Sequence, residues 1–273
     1  MEPTVVLAIA GSDSGGGAGI QADLRTFSAF GVHGTTAVTA VTAQNTVAVT
    51  GVYALEPDFV ELQIDAVVAD FAVSAVKTGM LASPEIVERV AEIARSGRLP
   101  NLVVDPVLVS STGHPLMREG GSRAYRDALL AEAVVATPNL REAALLCEVD
   151  VRDVTTVDDM LILAKAVLAY GPRFVLVKGG HYAQSTFTER HAPDILVSND
   201  DILVLDAPRV TTRNDHGTGC SLSAAIAAGL GLGRSVPDAT RDAKSFVLAA
   251  LKSAATWRLG QGHGPIDHFG WDQ

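Results

Sequence analysis

The run Asn214-Asp215-His216-Gly217-Thr218-Gly219-Cys220 leads straight into the small-residue apolar stretch Ser221 to Leu230. That stretch predicts a buried helix, and a glycine-rich turn opening a helix aims unpaired backbone N–H groups and the positive dipole end at one spot. Gly217 and Gly219 let the backbone approach an anion closely, and Thr218 adds a hydroxyl donor. A tight turn before a packed helix would explain one glycine, but not two beside a reactive side chain. The junction predicts a phosphate site, with Cys220 placed where a helix N-terminus favours the thiolate.

Further chemistry sits in or after other apolar runs. Asp105 interrupts Leu102 to Val109, where a buried carboxylate is costly unless paired or metal-linked. Thr137-Pro138-Asn139-Leu140-Arg141-Glu142 opens a helix with Asn139 and Glu142 on one face, a spacing that also fits a helix cap. With Asp105 these residues can give oxygen ligands or water contacts to Mg²⁺, which leans on one or two carboxylates plus substrate phosphates. Lys178 ends the run Phe174 to Lys178, before Gly179-Gly180-His181. There it can meet a phosphate chain, or simply snorkel at the surface.

Gly11-Ser12-Asp13-Ser14-Gly15-Gly16-Gly17-Ala18-Gly19 invites a nucleotide-loop reading but lacks both the Walker A lysine and the G-x-G-x-x-G spacing. A loop or hinge lying against a small substrate fits better. Asp23, in the helix that follows, is available for a polar group or is an ordinary first-turn carboxylate favoured by the dipole. His181 and His216 border the phosphate-binding turns as supporting donors or structural histidines. The two tail histidines, His263 and His268, lack the closely spaced third ligand of a metal site.

The elements that must position these residues alternate. Thr4 to Ala10, Thr36 to Ala43, Ala72 to Lys77, Leu102 to Val109, Ala133 to Thr137 and Phe174 to Lys178 are apolar on consecutive positions, as strands buried on both faces are. Helical patterns lie between most of them, at Ile20 to Phe30, Asp58 to Ala69, Pro84 to Ser96, Ser122 to Leu130, Leu140 to Cys147 and Val157 to Tyr170. Asp194 to Val197 and Ile202 to Leu205 read as an edge hairpin. Helices at Thr218 to Leu230 and Pro237 to Arg258 follow. An α/β fold with helices on both sides of a mostly parallel sheet results, with ligands at the C-terminal ends of the strands. No linker or repeat divides residues 1–273, so one domain is expected.

A formal net charge of −10 opposes nucleic-acid binding, which draws on clustered Lys and Arg. No apolar run approaches the roughly 20 residues that span a bilayer, and Met1-Glu2-Pro3 lacks a basic n-region. A cytoplasmic protein acting on small molecules is expected. Cys147 lies in an apolar helical stretch and reads as core, and no disulfide to Cys220 is expected.

The order and spacing of several motifs resemble those of the ribokinase-like small-molecule kinases. Within these, the resemblance is to the hydroxymethylpyrimidine and phosphomethylpyrimidine kinases of thiamine biosynthesis. It rests on Ala10-Gly11-Ser12-Asp13 through Gly19-Ile20-Gln21-Ala22-Asp23, Ala43-Gln44-Asn45-Thr46, Thr78-Gly79-Met80-Leu81, Thr137-Pro138-Asn139 with Glu142, Lys178-Gly179-Gly180-His181 and His216-Gly217-Thr218-Gly219-Cys220.

The resemblance implies a three-layer αβα sandwich and transfer of the ATP γ-phosphoryl group to 4-amino-5-hydroxymethyl-2-methylpyrimidine, then to its monophosphate. It matches Gly11, Asp23, Gln44, Met80 and Val107 to the pyrimidine pocket, and Asn139, Lys178, Thr218 and Gly219 to ATP. Asp105 and Glu142 would organise Mg²⁺, and Gly217 to Cys220 would hold the transferring group. Cys220 would accept or relay the substrate proton from a thiol titrating near neutrality, and Ser110 to His114 would form a lid. The family's Lys near Ser111 and Asp near His114 are missing, and related kinases commonly form homodimers. Pyridoxal or pyridoxine kinase is the alternative enzyme, and a catalytically silent pyrimidine-binding protein the alternative of another class.

Overall fold

The computed structural model describes residues 2–109, 113, 116–180 and 191–271. Ser110, Ser111, Thr112 and His114 of the expected lid, and His181, lie outside the described residues. In chain order the strands are β1 (Val5–Ser12), β2 (His33–Gln44), β3 (Val49–Ala54), β4 (Val73–Thr78), β5 (Leu102–Val104), β6 (Val135–Ala136), β7 (Phe174–Lys178), β8 (Asp194–Val197) and β9 (Ile202–Leu205). The helices are α1 (Gly19–Ala29), α2 (Pro57–Asp70), α3 (Pro84–Arg95), α4 (Gly121–Ala124), α5 (Leu140–Cys147), α6 (Val157–Leu168), α7 (Thr218–Gly231) and α8 (Val236–Ser253).

The strands form one sheet ordered β3-β2-β1-β4-β5-β6-β7-β8-β9. From β2 to β7 every pairing is parallel, while β3, β8 and β9 pair antiparallel at the two edges. Alternate residues of β1 feed opposite layers, as the strand period of two requires. Leu7 and Ile9 pack with residues of α2, α3, α5 and α6. Val6 and Ala8 pack with residues of α1, α7 and α8. The expected three-layer sandwich is the observed one.

Four elements depart from the sequence expectation, α8 among them: it ends at Ser253 and passes into a 3₁₀ turn over Ala254–Thr256 instead of running to Arg258. β3 is not expected, because its burial is mixed and it carries no apolar run; it exists by pairing with the distal half of β2, Ala40 to Gln44. β5 ends at Val104 instead of Val109: the N–H of Asp105 still donates to Thr78 O of β4, but Pro106 has no N–H to carry the ladder further. The helix at Ser122 to Leu130 is a short α-helical turn passing into a π-turn over Tyr125–Leu129 and a 3₁₀ turn over Leu130–Glu132.

Candidate active site

The C-terminal ends of β1, β4, β5, β6 and β7 converge on two adjoining cavities. The first, of about 350 Å³, is lined by Gly11, Gln44, Met80, Asp105, Val107 and Cys220, among others. The second, of about 360 Å³, lies between β7–β9 and the helices α7 and α8. Asn139, Lys178, Asp215, Thr218 and Gly219 line both, and so mark the junction.

The N-terminus of α7 forms that junction. Gly217 caps the helix at φ 86°, in the left-handed region, and a Cβ there would overlap the carbonyl oxygen of Gly17. Thr218 donates its backbone N–H and its hydroxyl to Asp215 O, at 3.4 Å and 3.0 Å. The next first-turn amides, of Gly219 and Cys220, have no intrahelical acceptor; Gly219 lines both cavities and Cys220 the first. A Cβ on Gly219 would come within 3.3 Å of Lys178 Nζ, so a side chain there would crowd the lysine.

Lys178 is mostly buried and donates to Asp105 Oδ1 at 2.7 Å. Thr137 Oγ1 donates to the same oxygen at 3.1 Å, and Ser223 Oγ of α7 to Oδ2 at 3.2 Å. Burial alone would push the ammonium down; Asp105 and Glu142 outweigh it and hold Lys178 above its ordinary value. Lys178 N also donates to Pro138 O, which fixes the start of α5 beside the end of β7. Asn139 and Glu142 form a capping box: Asn139 N donates to Glu142 Oε2 at 2.8 Å and Glu142 N to Asn139 Oδ1 at 2.9 Å. Burial, supplemented by Asp105 and opposed by Lys178, pushes the Glu142 carboxyl up to about 7.

Two buried carboxylates therefore face one lysine, and the raised Glu142 carboxyl is poised to gain charge when a further cation arrives. An all-oxygen pair suits a largely hydrated Mg²⁺, reached directly or through water. Among the described residues no three His, Cys, Asp or Glu side chains converge as a self-sufficient metal centre. His263 pairs with Asp215, and His268 with Ser221 Oγ at 2.8 Å.

Asp23 is fully buried and does not line either cavity. Both its oxygens accept from Lys77 Nζ at 2.9 Å, so neither the direct ligand contact nor the first-turn dipole role describes it. Lys77, a residue the strand pattern absorbed as the end of an apolar run, stands between Asp23 and the cavity. Burial raises Asp23 to about 6 against the pull of Lys77, and Asp23 raises Lys77, so the pair is ionised at neutral pH. The expectation for Cys220 also changes. Desolvation pushes its thiol up to about 11, outweighing Lys77 and the backbone N–H of Gly19. The helix N-terminus does not bring this half-buried, desolvated thiol to neutrality.

The glycine-rich loop folds around Asp13, which accepts backbone N–H groups from Gly15, Gly17 and Ala18. His216 Nε2 lies 2.9 Å from Asp13 Oδ2 and ties this loop to the α7 turn. Gln44, at the end of β2, reaches both Thr42 and His216. Met80 and Val107 supply the apolar wall, with Met80 seated on Ala40 and Ala82. A strap over Gly260–Pro265 frames this end. Gln261 and Gly262 donate to Thr46 Oγ1, His263 N to Thr46 O, and His216 N to Gly264 O.

Residues 13–267 match the family model for phosphomethylpyrimidine kinase. The chain belongs to that family. A hydroxymethylpyrimidine/phosphomethylpyrimidine kinase of Streptomyces coelicolor is 49% identical, over 98% of this chain and 95% of its own. The phosphomethylpyrimidine kinase of Clostridium difficile 630 superposes with a TM-score of 0.77 at 38% identity, over 90% of this chain and 99% of its own. A pyridoxal kinase of Staphylococcus aureus, solved with AMP-PCP and pyridoxal, gives a TM-score of 0.88 at 31% identity, over 100% and 96%.

For a phosphomethylpyrimidine kinase family member, the second cavity is the part the sequence reading left undescribed. Leu222, Val247, Leu248 and Leu251 give it an apolar wall, and Arg209 and Lys244 bring positive charge. Lys244 donates to Asp194 Oδ2, whose other oxygen accepts the N–H of Gly179 at 2.9 Å. These residues come from α8 and from beyond β7, and no local motif announces them.

Proposed function

We propose that the chain transfers the γ-phosphoryl group of ATP to the hydroxymethyl oxygen of 4-amino-5-hydroxymethyl-2-methylpyrimidine, and then a second group to the resulting monophosphate. The observation that carries this reading is the junction itself. A lysine, two buried carboxylates and the opening turn of α7 meet where a ring-sized cavity abuts a second, partly apolar one. Family membership chooses the substrates for the two cavities.

The adenosine part of ATP fits the second cavity, with its phosphates running toward Lys178 and Asn139. The pyrimidine lies in the first cavity between Met80 and Val107, beside Gly11, with Gln44 at its polar edge. Phosphoryl transfer passes through a loose transition state, in which positioning and charge neutralisation outweigh base strength. The amides of Gly217 to Cys220 hold the transferring group, and Lys178 offsets its charge. Mg²⁺, held by Asp105 and Glu142, would supply further neutralisation of the β- and γ-phosphates. Lys77, anchored by Asp23, keeps positive charge near the hydroxymethyl group.

Cys220 remains the residue facing the acceptor hydroxyl, in a revised role. As a thiol it orients the oxygen without stripping its proton. The oxygen–phosphorus bond forms as the bond to ADP breaks, and the proton leaves afterwards to a phosphate oxygen of the product. A cytoplasmic homodimer is carried forward with this proposal, and sedimentation at micromolar concentration tests the assembly.

The pyridoxal kinase overlay keeps vitamin B6 as the second reading. The deciding experiment offers Mg-ATP with hydroxymethylpyrimidine and pyridoxal at equal concentration and resolves products by mass. Pyrimidine monophosphate advancing to diphosphate supports the proposal. Pyridoxal phosphate alone transfers the chain to the second reading, and ligand binding without any product turns it into a binding protein.

A further inference from the structure

The contacts of Asp13, His216 and Gln44 are inconsistent with one another until protons are assigned. Asp13 accepts three backbone N–H groups, at 2.8, 3.1 and 2.9 Å, and backbone donors cannot be reversed. Burial would push its carboxyl up, but the bonds from His216 and the backbone outweigh this and hold it below its ordinary value. Asp13 is therefore an acceptor only, and the 2.9 Å contact requires the proton to sit on His216 Nε2.

That proton has a consequence for Gln44. Its Nε2 lies 3.3 Å from the same ring nitrogen, and two N–H groups cannot face each other. At its other end, Gln44 Oε1 lies 3.2 Å from Thr42 Oγ1, whose single proton is also directed to Ser12 O at 3.0 Å. Both conflicts vanish if the carboxamide turns by half a revolution, since its two ends are isosteric. The oxygen then faces the His216 Nε2–H as the longer, 3.3 Å arm of a bond shared with Asp13, one N–H goes to a lone pair of Thr42 Oγ1, and the second N–H is left for the cavity.

We propose that His216 is a specificity-determining positioning residue: its Nε2 proton, anchored on Asp13, fixes the polarity of the Gln44 amide so that Gln44 presents a donor to a ring nitrogen of the bound substrate. The packing supports a fixed ring. A Cβ on Gly17 would overlap His216 Cδ2, so the glycine loop closes directly on the imidazole. This inference rests on the first cavity being the acceptor site proposed above.

The test is a kinetic cycle over His216 and Gln44, using whichever of hydroxymethylpyrimidine or pyridoxal the unaltered protein phosphorylates. That choice separates failure of the substrate reading from failure of this one. His216→Leu is expected to raise the acceptor KM by about tenfold or more, the scale on which a lost polar contact is felt, with the ATP KM little changed. His216→Gln, which keeps an N–H near the Nε2 position, is expected to recover most of the loss. Combined with Gln44→Leu, His216→Leu should add almost nothing, because the amide it orients is gone. If His216→Leu does not fold, His216→Asn, whose amide stops short of Asp13, replaces it in the cycle. Equal rises in both KM values, no recovery with a folded His216→Gln, or additive effects with Gln44→Leu would each overturn the proposal.

Discussion

Lys178 Nζ and Asp105 Oδ1 lie 2.7 Å apart, and the lysine of this ion pair lines both cavities and so faces both proposed substrates. The carboxylate holds the lysine there, and the lysine offsets charge on whatever phosphate arrives. Removing either partner therefore has a different signature. Lys178→Ala is expected to lower kcat by about 10²–10³-fold, as for loss of one preorganised electrostatic group, and to cost about 3–5 kcal/mol of stability by stranding the buried Asp105 carboxylate. Asp105→Ala leaves Lys178 facing Glu142 but removes the acceptor of Lys178, Thr137 and Ser223, and is expected to cost about 1–3 kcal/mol of stability. Steady-state kinetics beside denaturant unfolding separates the two, and a Lys178→Ala variant with full turnover would remove the lysine from the mechanism.

Cys220 is assigned an orienting thiol instead of a base. Cys220→Ala should lower kcat by about 10–100-fold, less than loss of a general base would cost, with the ATP KM unchanged. Cys220→Ser retains a small hydrogen-bonding group and should stay within about tenfold of the unaltered protein. A serine variant as slow as the alanine variant would count against the orienting role.

The buried pair Lys77–Asp23 predicts a non-additive stability pattern. Either single change, Lys77→Met or Asp23→Leu, strands a charge in the interior and should cost about 3–5 kcal/mol. The double change removes both charges and should be less destabilising than the sum. Urea unfolding of the three variants reads this directly, and additive losses would argue that the pair is not coupled.

His268 supplies a pH test. Burial, reinforced by Arg25, lowers its pKa from 6.5 to about 4, so the folded protein keeps the ring neutral where the unfolded chain protonates it. The unfolded state therefore binds more protons between pH 6.5 and 4. The stability tied to His268 is fully present above pH 6.5 and falls with pH through this window, by up to about 3 kcal/mol. His268→Gln should flatten that part of the curve. Parallel unfolding curves for the two proteins from pH 4.5 to 7.5 would refute the assignment.

Gly217 has both a left-handed φ of 86° and a neighbour, Gly17 O, in the space of a Cβ. Gly217→Ala is expected to abolish turnover by shifting the α7 turn, and ³¹P or ITC measurement of ATP binding should show affinity reduced by about tenfold or more. Unchanged ATP binding would show that the turn can relax.

What the sequence made legible was chemistry carried by neighbours in the chain. Gly217, Thr218, Gly219 and Cys220 announce a helix mouth because the motif and the helix are contiguous, and Asn139 and Glu142 sit together for the same reason. Lys77, by contrast, looked like the end of a strand, and only the fold brings Asp23 onto it. The helix position of Cys220 alone predicts a thiol near neutrality; desolvation, a tertiary fact, pushes it the other way. β3 was invisible because a half-exposed edge strand is specified by its partner more than by its own side chains.

The strap over Gly260–Pro265 has a further consequence for order of assembly. It holds Thr46, from the first part of the chain, and His216 in one frame. A chain emerging from the ribosome can complete its sheet, α7 and α8 before this frame exists. Because His263 of the strap also pairs with Asp215, which lines both cavities, a chain halted at Arg258 should lose its hold on both substrates together.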